Sequence, residues 1–282
     1  MSNKILEPVN QLILGDNLEI MKTLENESVD LIYLDPPFFS NRNYEIIWGD
    51  AGEIRSFKDR WSGGIDHYVA WLKERVEQMH RVLKSTGSLF LHCDWHADAY
   101  IRVHILDKIF GIKNFRNAIV WHYTGWNKKL SDAFEKRHDV IYFYAKKSNT
   151  KKFNGFSKQW ESEEEYVKKR KQKVRKDRKG AYVLSDGGNG QRVKRYLKEA
   201  MEYGSPVDDV WEFDKINNSS KERIGYPTQK PEALMERIIK CARKQGRKAM
   251  SFLIRSWVAV QRLSLRKNWD ANGSVSTSPS KR

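Results

Sequence analysis

Cysteine is nearly absent from these 282 residues. Cys93 and Cys241 stand far apart, which gives neither a disulfide framework nor the paired spacing of a zinc site and fits a reducing compartment. No apolar run approaches a membrane span, and Met1 to Gln11 carries no apolar signal core, so a soluble cytoplasmic chain is expected. A dinucleotide-type glycine loop is missing too. The cluster Gly187-Gly188-Asn189-Gly190 reads as neither following a strand nor opening a helix. His92-Cys93-Asp94-Trp95-His96 holds metal-binding side chains, but its donors are crowded and no matching pair lies elsewhere, so no metal is expected. Acid is the last shortfall, with 36 Asp+Glu against 52 Lys+Arg and a formal charge of +16. The excess is local. Residues 151–205 hold 16 Lys+Arg against 8 Asp+Glu, residues 247–282 hold 8 against 1, and the remainder is about neutral at +1. A basic segment on a neutral body suits a partner that presents phosphates.

What is present alternates between two periodicities. Gln11-Leu12-Ile13-Leu14 and Val29 to Leu34 read as short buried strands, with Asn17 capping a helix between them on which Leu18, Met21 and Leu24 recur. Ser40 to Gly64 reads as a long polar loop bearing Tyr44, Trp48, Phe57 and Trp61, rings that either touch a substrate or pack the loop down. Ile65 to Lys84 is an amphipathic helix, ended by Gly87, and Ser88 to His92 the next strand. Ala97 to Phe110 is helical again, with Ile101, Ile105 and Ile109 in register. Phe115 to Tyr123 and His138 to Tyr144 form a late strand pair around the basic loop Thr124 to Arg137. Strand–helix alternation implies an α/β fold with a mainly parallel sheet.

The strand at Val29 to Leu34 ends in Asp35-Pro36-Pro37-Phe38, at the sheet edge where open α/β folds bind ligands. Two prolines remove two N–H donors and fix the turn, so a carboxylate, outward carbonyls and a phenyl ring are held together. Such a group suits a flat ring bearing an amine. Asp-Pro-Pro-Phe after an apolar strand resembles the catalytic motif of the DNA amino-methyltransferases, which methylate an exocyclic base amine using S-adenosyl-L-methionine. Tyr226-Pro227-Thr228-Gln229-Lys230-Pro231 resembles the segment with which that family clasps the methionine end of the cofactor, and Gly15-Asp16 the turn whose Asp receives the cofactor's adenine amine. Pro231 then opens a helix to about Lys244. The resemblance covers about residues 11–246 in the family's permuted, β-type order. It implies a Rossmann-like methyltransferase sheet, double-stranded DNA as substrate, a restriction endonuclease as possible partner, and Asp35, Pro36, Pro37 and Phe38 as catalytic residues. It also implies Asp16, Thr228, Gln229 and Lys230 as cofactor contacts. Asp at position 35 is the more typical adenine form, with cytosine N4 methylation and non-catalytic DNA binding as the rival readings. The His92 to His96 run then lines the base pocket or is structural.

Four segments follow from this reading: a catalytic part over 1–147, a basic target-recognition insertion over 148–205, the cofactor-clasping segment over 206–246, and a tail over 247–282. Lys168, Lys169, Arg170 and Lys171 are the candidate phosphate contacts in the insertion, or else a solvated helix face. In the tail, the family's strand followed by Asp-Pro-Phe-x-Gly-x-Gly-Thr should come next, and it is missing. Back-translated with free synonymous codons and read one base earlier, the tail permits Gly-Asp-Val-Leu-Leu-Asp-Pro-Phe-Val-Gly-Gly-Gly-Thr-Thr, running on through a helix to a second strand. The expectation is a frameshift near Gly246 to Lys248, a disordered tail without the cofactor-loop strands, and impaired activity in this product; the alternative is a genuine basic, disordered DNA-binding tail.

Overall fold

The computed structural model describes residues 15–40, 43–48, 53–58, 61–125, 132–147, 157–158, 162–217, 219–223, 228–242, 252–256, 268–269 and 275–276. The strand expected over 11–14 lies outside them. Helix α1 (Asn17–Thr23) is capped by Asp16, whose carboxylate accepts from the Leu18 N–H at 2.8 Å, and not by Asn17 as expected. Asn17 turns inward, and its amide oxygen accepts from Arg75 Nε at 3.0 Å. Strand β1 (Val29–Asp35) follows, buried over nearly its whole length. Within the expected loop lie β2 (Asn43–Trp48) and β3 (Glu53–Lys58), paired as an antiparallel hairpin.

Helix α2 (Gly64–Val82) buries Tyr68, Leu72, Val76 and Met79. It stops earlier than its periodicity implied, because Leu83 and Lys84 already belong to β4 (Leu83–Cys93). Leu83 is buried in either register, so the apolar pattern does not mark the boundary. Gly87 is not a helix stop; it lies inside β4, where a Cβ would come within 2.8 Å of the Leu83 side chain and 2.9 Å of the Asp30 carbonyl oxygen. The next helical stretch is α3 (Asp98–Tyr100), a π-helical segment Ile101–Leu106, and α4 (Asp107–Ile109), which still buries Ile101 and Ile105. Strands β5 (Phe115–His122) and β6 (His138–Ala145) then form the expected antiparallel pair.

Gly155–Asp208 is a compact unit of its own. It contains β7 (Ser157–Lys158), α5 (Glu163–Arg170), β8 (Arg175–Asp177), β9 (Gly180–Asp186), β10 (Arg192–Tyr196), α6 (Leu197–Tyr203) and β11 (Ser205–Pro206). Tyr166, Val183 and Leu197 make its small core. The glycine cluster does follow a strand: it is the turn from β9 to β10, with positive φ at Gly188, Asn189 and Gly190.

The other unit resumes with β12 (Val210–Glu212), α7 (Glu232–Ala242) and β13 (Phe252–Ser256). Among the described residues its main sheet has six strands, in the order β12-β5-β6-β4-β1-β13. β6 pairs antiparallel with both neighbours, while the remaining pairs are parallel, so five strands share one direction. One expectation for the tail is therefore corrected: Phe252–Ser256 joins the sheet beside β1, with Asp35 opposite Ser256, so the strand slot after α7 is filled. Along β1 and β4 the side chains alternate. Ile32, Leu34, Leu89 and Leu91 pack with α2, while Leu31, Tyr33, Asp35, Phe90 and His92 fall on the opposite face. Among the described residues no helix is long and apolar enough to cross a membrane.

Candidate active site at the carboxyl edge of the sheet

β1 delivers Asp35 to the edge where its parallel neighbours also end, and Pro36-Pro37 stops the ladder there. The outward carbonyls expected beside the prolines are not all available, since Pro37 accepts from the Tyr68 hydroxyl at 2.6 Å. That bond ties the turn to α2.

Asp35 is 7% exposed and shares its site with Lys230 and His92. Lys230 Nζ lies 2.8 Å from its Oδ2, and the same ammonium donates to the Thr228 carbonyl at 3.3 Å and stands 5.2 Å over the Phe38 ring. His92 is fully buried on the other side, with Nδ1 3.4 Å from Asp35 Oδ1. Oδ1 itself is a buried acceptor with no hydrogen-bond partner. An acceptor left open beside a paired oxygen can take one proton of an incoming amine.

The buried network continues inward. Tyr33 lies 3.0 Å from His92 Nδ1, and its phenol is pushed well above its ordinary pKa by burial and then by the fields of Asp35 and Asp139, so it serves as a donor. His92 Nε2 reaches Asp139 Oδ2 at 3.1 Å, and Tyr123 donates to Asp139 Oδ1 at 3.0 Å. Burial alone would raise Asp139; the His92 hydrogen bond and the fields of His92, Lys215 and Lys230 bring it down to about 2. Phe38 meets His92 edge-on with centroids 5.1 Å apart. The network draws on β1, β4, the residue after β5, β6 and the segment before α7.

The sequence-derived candidates divide. Asp35, Phe38 and Lys230 come together. Thr228 contributes its carbonyl to Lys230, while Gln229 Nε2 donates to the Glu222 carbonyl at 2.6 Å. Asp16 caps α1 and pairs with Arg75 at 3.2 Å, its side chain remaining 49% exposed. Lys168, Lys169 and Arg170 form the last turn of α5 and Lys171 its left-handed cap, all four exposed in the other unit. His92 stands out in the sequence for its metal-type donors; its place as the hinge of a carboxylate pair is not evident there. Asp139 is absent from the sequence candidates, although an Asp bordering the apolar run Val140 to Ala145 is itself a signal of a buried charge. No group of His, Cys, Asp or Glu fit to hold a metal occurs among the described residues.

The family described as DNA methylase matches this chain over residues 29–248. The DNA adenine methyltransferase YhdJ of Escherichia coli (strain K12) is 28% identical over 238 residues, 83% of this chain and 68% of that protein. The type II methyltransferase M.HpaI of Haemophilus parainfluenzae is 28% identical over 236 residues, 84% of this chain and 60% of its own. M.BglII of Bacillus subtilis, also a type II methyltransferase, is 29% identical over 82% of this chain, which spans 56% of its length. Among solved structures, the cytosine-N4-specific PvuII DNA methyltransferase aligns with 82% of this chain and 69% of its own at a TM-score of 0.46 and 12% identity.

Proposed function

Since the chain belongs to the DNA methylase family, we propose that its Asp35 site methylates the exocyclic amine of adenine in duplex DNA, with S-adenosyl-L-methionine as methyl donor. The observation that carries this reading is the buried Asp35 carboxylate with one oxygen free of hydrogen bonds, beside the Phe38 ring and at the end of a parallel strand. A stacked, paired adenine cannot present its amine to such a recess, so the base must be extruded, at a cost of a few kcal/mol. Phe38 stacks on the extruded ring, a contact worth about 1–3 kcal/mol. Asp35 and the Pro36 carbonyl accept the two amino protons, which moves the nitrogen toward tetrahedral geometry and frees its lone pair. Positive charge then grows on that nitrogen, and Asp35 stabilises it before taking the proton released. The Lys230 ammonium occupies Asp35 Oδ2, which leaves Oδ1 for the amine.

The cofactor supplies an electrophilic methyl group. Thr228, Gln229 and Lys230 would hold its methionine end and Asp16 its adenine amine. The half-exposed Asp16 carboxylate fits that role, since two oxygens can accept more than the Leu18 N–H and Arg75. The basic unit Gly155–Asp208, with Lys168 to Lys171, orients the duplex through phosphates. A restriction endonuclease as the chain's counterpart is part of the same proposal.

The reading frame is part of the same proposal. The family match ends at residue 248, which supports a one-base shift near Gly246 to Lys248. The Val-Leu-Leu-Asp of the alternate frame falls on positions 251–254, overlapping β13, so its glycine loop would follow beside Asp35. Two chains should therefore be compared, one as given and one with a single-base correction at that junction. The corrected chain is expected to bind S-adenosylmethionine by calorimetry and to yield N6-methyladenine in digested duplex; the chain as given should bind weakly and methylate little. Efficient methylation by the uncorrected chain would sink the frameshift, and N4-methylcytosine as product would overturn adenine as target.

A further inference from the structure

The most exposed large apolar side chain among the described residues belongs to Phe134, at 97%. A single apolar side chain at a surface needs no explanation. This one is set on a braced stem. It precedes β6 by four residues, and the stem is closed by Tyr123 N–H donating to the Arg137 carbonyl at 3.0 Å. Arg137 Nη2 grips Glu135 Oε2 at 2.7 Å, and Lys136 Nζ stands 4.3 Å from the centre of the Trp95 ring. Trp95 is 52% exposed and stacks on His96 at 3.9 Å, while His96 is pinned by Asp94 at 2.8 Å. The ring is thus held out into solvent with a steadied cation two residues away. Its loop leads into Asp139, the residue through which β6 reaches His92 and Asp35.

We propose that Phe134 inserts into duplex DNA at the target step, with Lys136, steadied over Trp95, against a flanking phosphate. The inference rests on the reading of DNA as substrate. Extruding a base leaves a gap in the stack, and an apolar ring entering between the neighbouring bases restores stacking on both sides of that gap. Lysine suits the flanking phosphate as a point charge that fixes position without reading sequence. Phe38 and Trp121 are not free to do this. Phe38 faces His92, and Trp121 is buried with its indole N–H on the Phe213 carbonyl.

The test needs neither cofactor nor catalysis. Fluorescence anisotropy with the full chain compares an intact labelled duplex with the same duplex carrying one abasic site, at several salt concentrations. Wild-type protein should prefer the abasic duplex. Phe134→Ala should lose that preference and weaken abasic binding by about fivefold or more with an unchanged salt slope, while Phe134→Trp retains both. Lys136→Gln should instead lower the salt slope by about 1. Because Phe134 is almost wholly exposed, its removal leaves folding intact, which a thermal melt checks. An abasic preference that survives Phe134→Ala would overturn the proposal while leaving the DNA reading standing. No binding of wild type to either duplex at low salt removes both. If Phe134→Ala leaves DNA affinity alone but converts a dimer to a monomer in sedimentation, the ring belongs to an interface between copies and the proposal fails.

Discussion

The carboxyl edge of the main sheet and the unit Gly155–Asp208 both carry charge, and they carry it in opposite ways. At the edge, Asp35, His92, Asp139 and Lys230 are each less than a tenth exposed, and each of these polar side chains is set against a named partner. In the unit, Lys168, Lys169, Arg170 and Lys171 are exposed at the end of a helix whose first turn is acidic. That distribution complements the helix dipole, and water screens it. Buried charge has to be exact in position because misplacement costs several kcal/mol. Exposed charge acts by number, and a phosphate-bearing partner is the kind of ligand for which number suffices.

This contrast can be broken from either side. The largest effect is expected at Asp35→Ala. In the frame-corrected chain it should abolish methyl transfer while S-adenosylmethionine affinity largely persists; in either chain it takes the carboxylate from the buried Lys230 ammonium, which should cost about 3–5 kcal/mol in urea unfolding. Appreciable transfer by that variant would refute the assigned role. Next comes Leu197→Ala, which empties part of the three-residue core of the basic unit and should cost about 2–4 kcal/mol there. Hydrogen exchange would register it as lost protection confined to 155–208; uniform loss over the chain would mean that the unit does not unfold on its own.

Asp139→Asn should cost about 2 kcal/mol at neutral pH, from a carboxyl held at about 2 against an ordinary 3.8. Its folded value is depressed, so the contribution is present above the unfolded value and lost as pH falls through the folded one. Urea midpoints of variant and wild type should therefore separate at pH 7 and converge towards pH 2; a pH-independent gap would point to packing instead. The smallest effect on the fold is expected from replacing Lys168 to Lys171 with glutamine. Stability should hardly move, while duplex affinity falls about equally for all sequences and the salt dependence flattens. Unchanged binding at every salt concentration would leave the run a solvated helix face.

Much of the scaffold is legible in the sequence because burial leaves a period. The runs at Val29 to Leu34, Ile65 to Met79 and His138 to Tyr144 repeat apolar side chains at strand or helix spacing, and each forms that element. Where periods merge, the boundary is lost: Leu83 satisfies the helix face and the strand face alike. The hairpin over 43–58 is hidden because two short polar-bearing strands carry no alternation strong enough to separate them from a loop. At the site, Asp35 and Phe38 can be found because a proline pair marks them. The bond from Lys230 to Asp35 spans 195 positions and comes from packing α7 beside β1, which no local spacing encodes. His92 and Asp139 are in plain view as residue types. Their pairing depends on β6 being reversed, a fact of topology.

That reversal has a mechanical consequence. Every other strand of the sheet brings its last residues to the active edge, but β6 brings its first, so the backbone carrying Phe134 runs straight on into Asp139. The loop and the charge network are one short lever, with the Tyr123–Arg137 hydrogen bond as its fulcrum. Asp139 is where the loop joins the buried network, and through His92 it is linked to the carboxylate of Asp35.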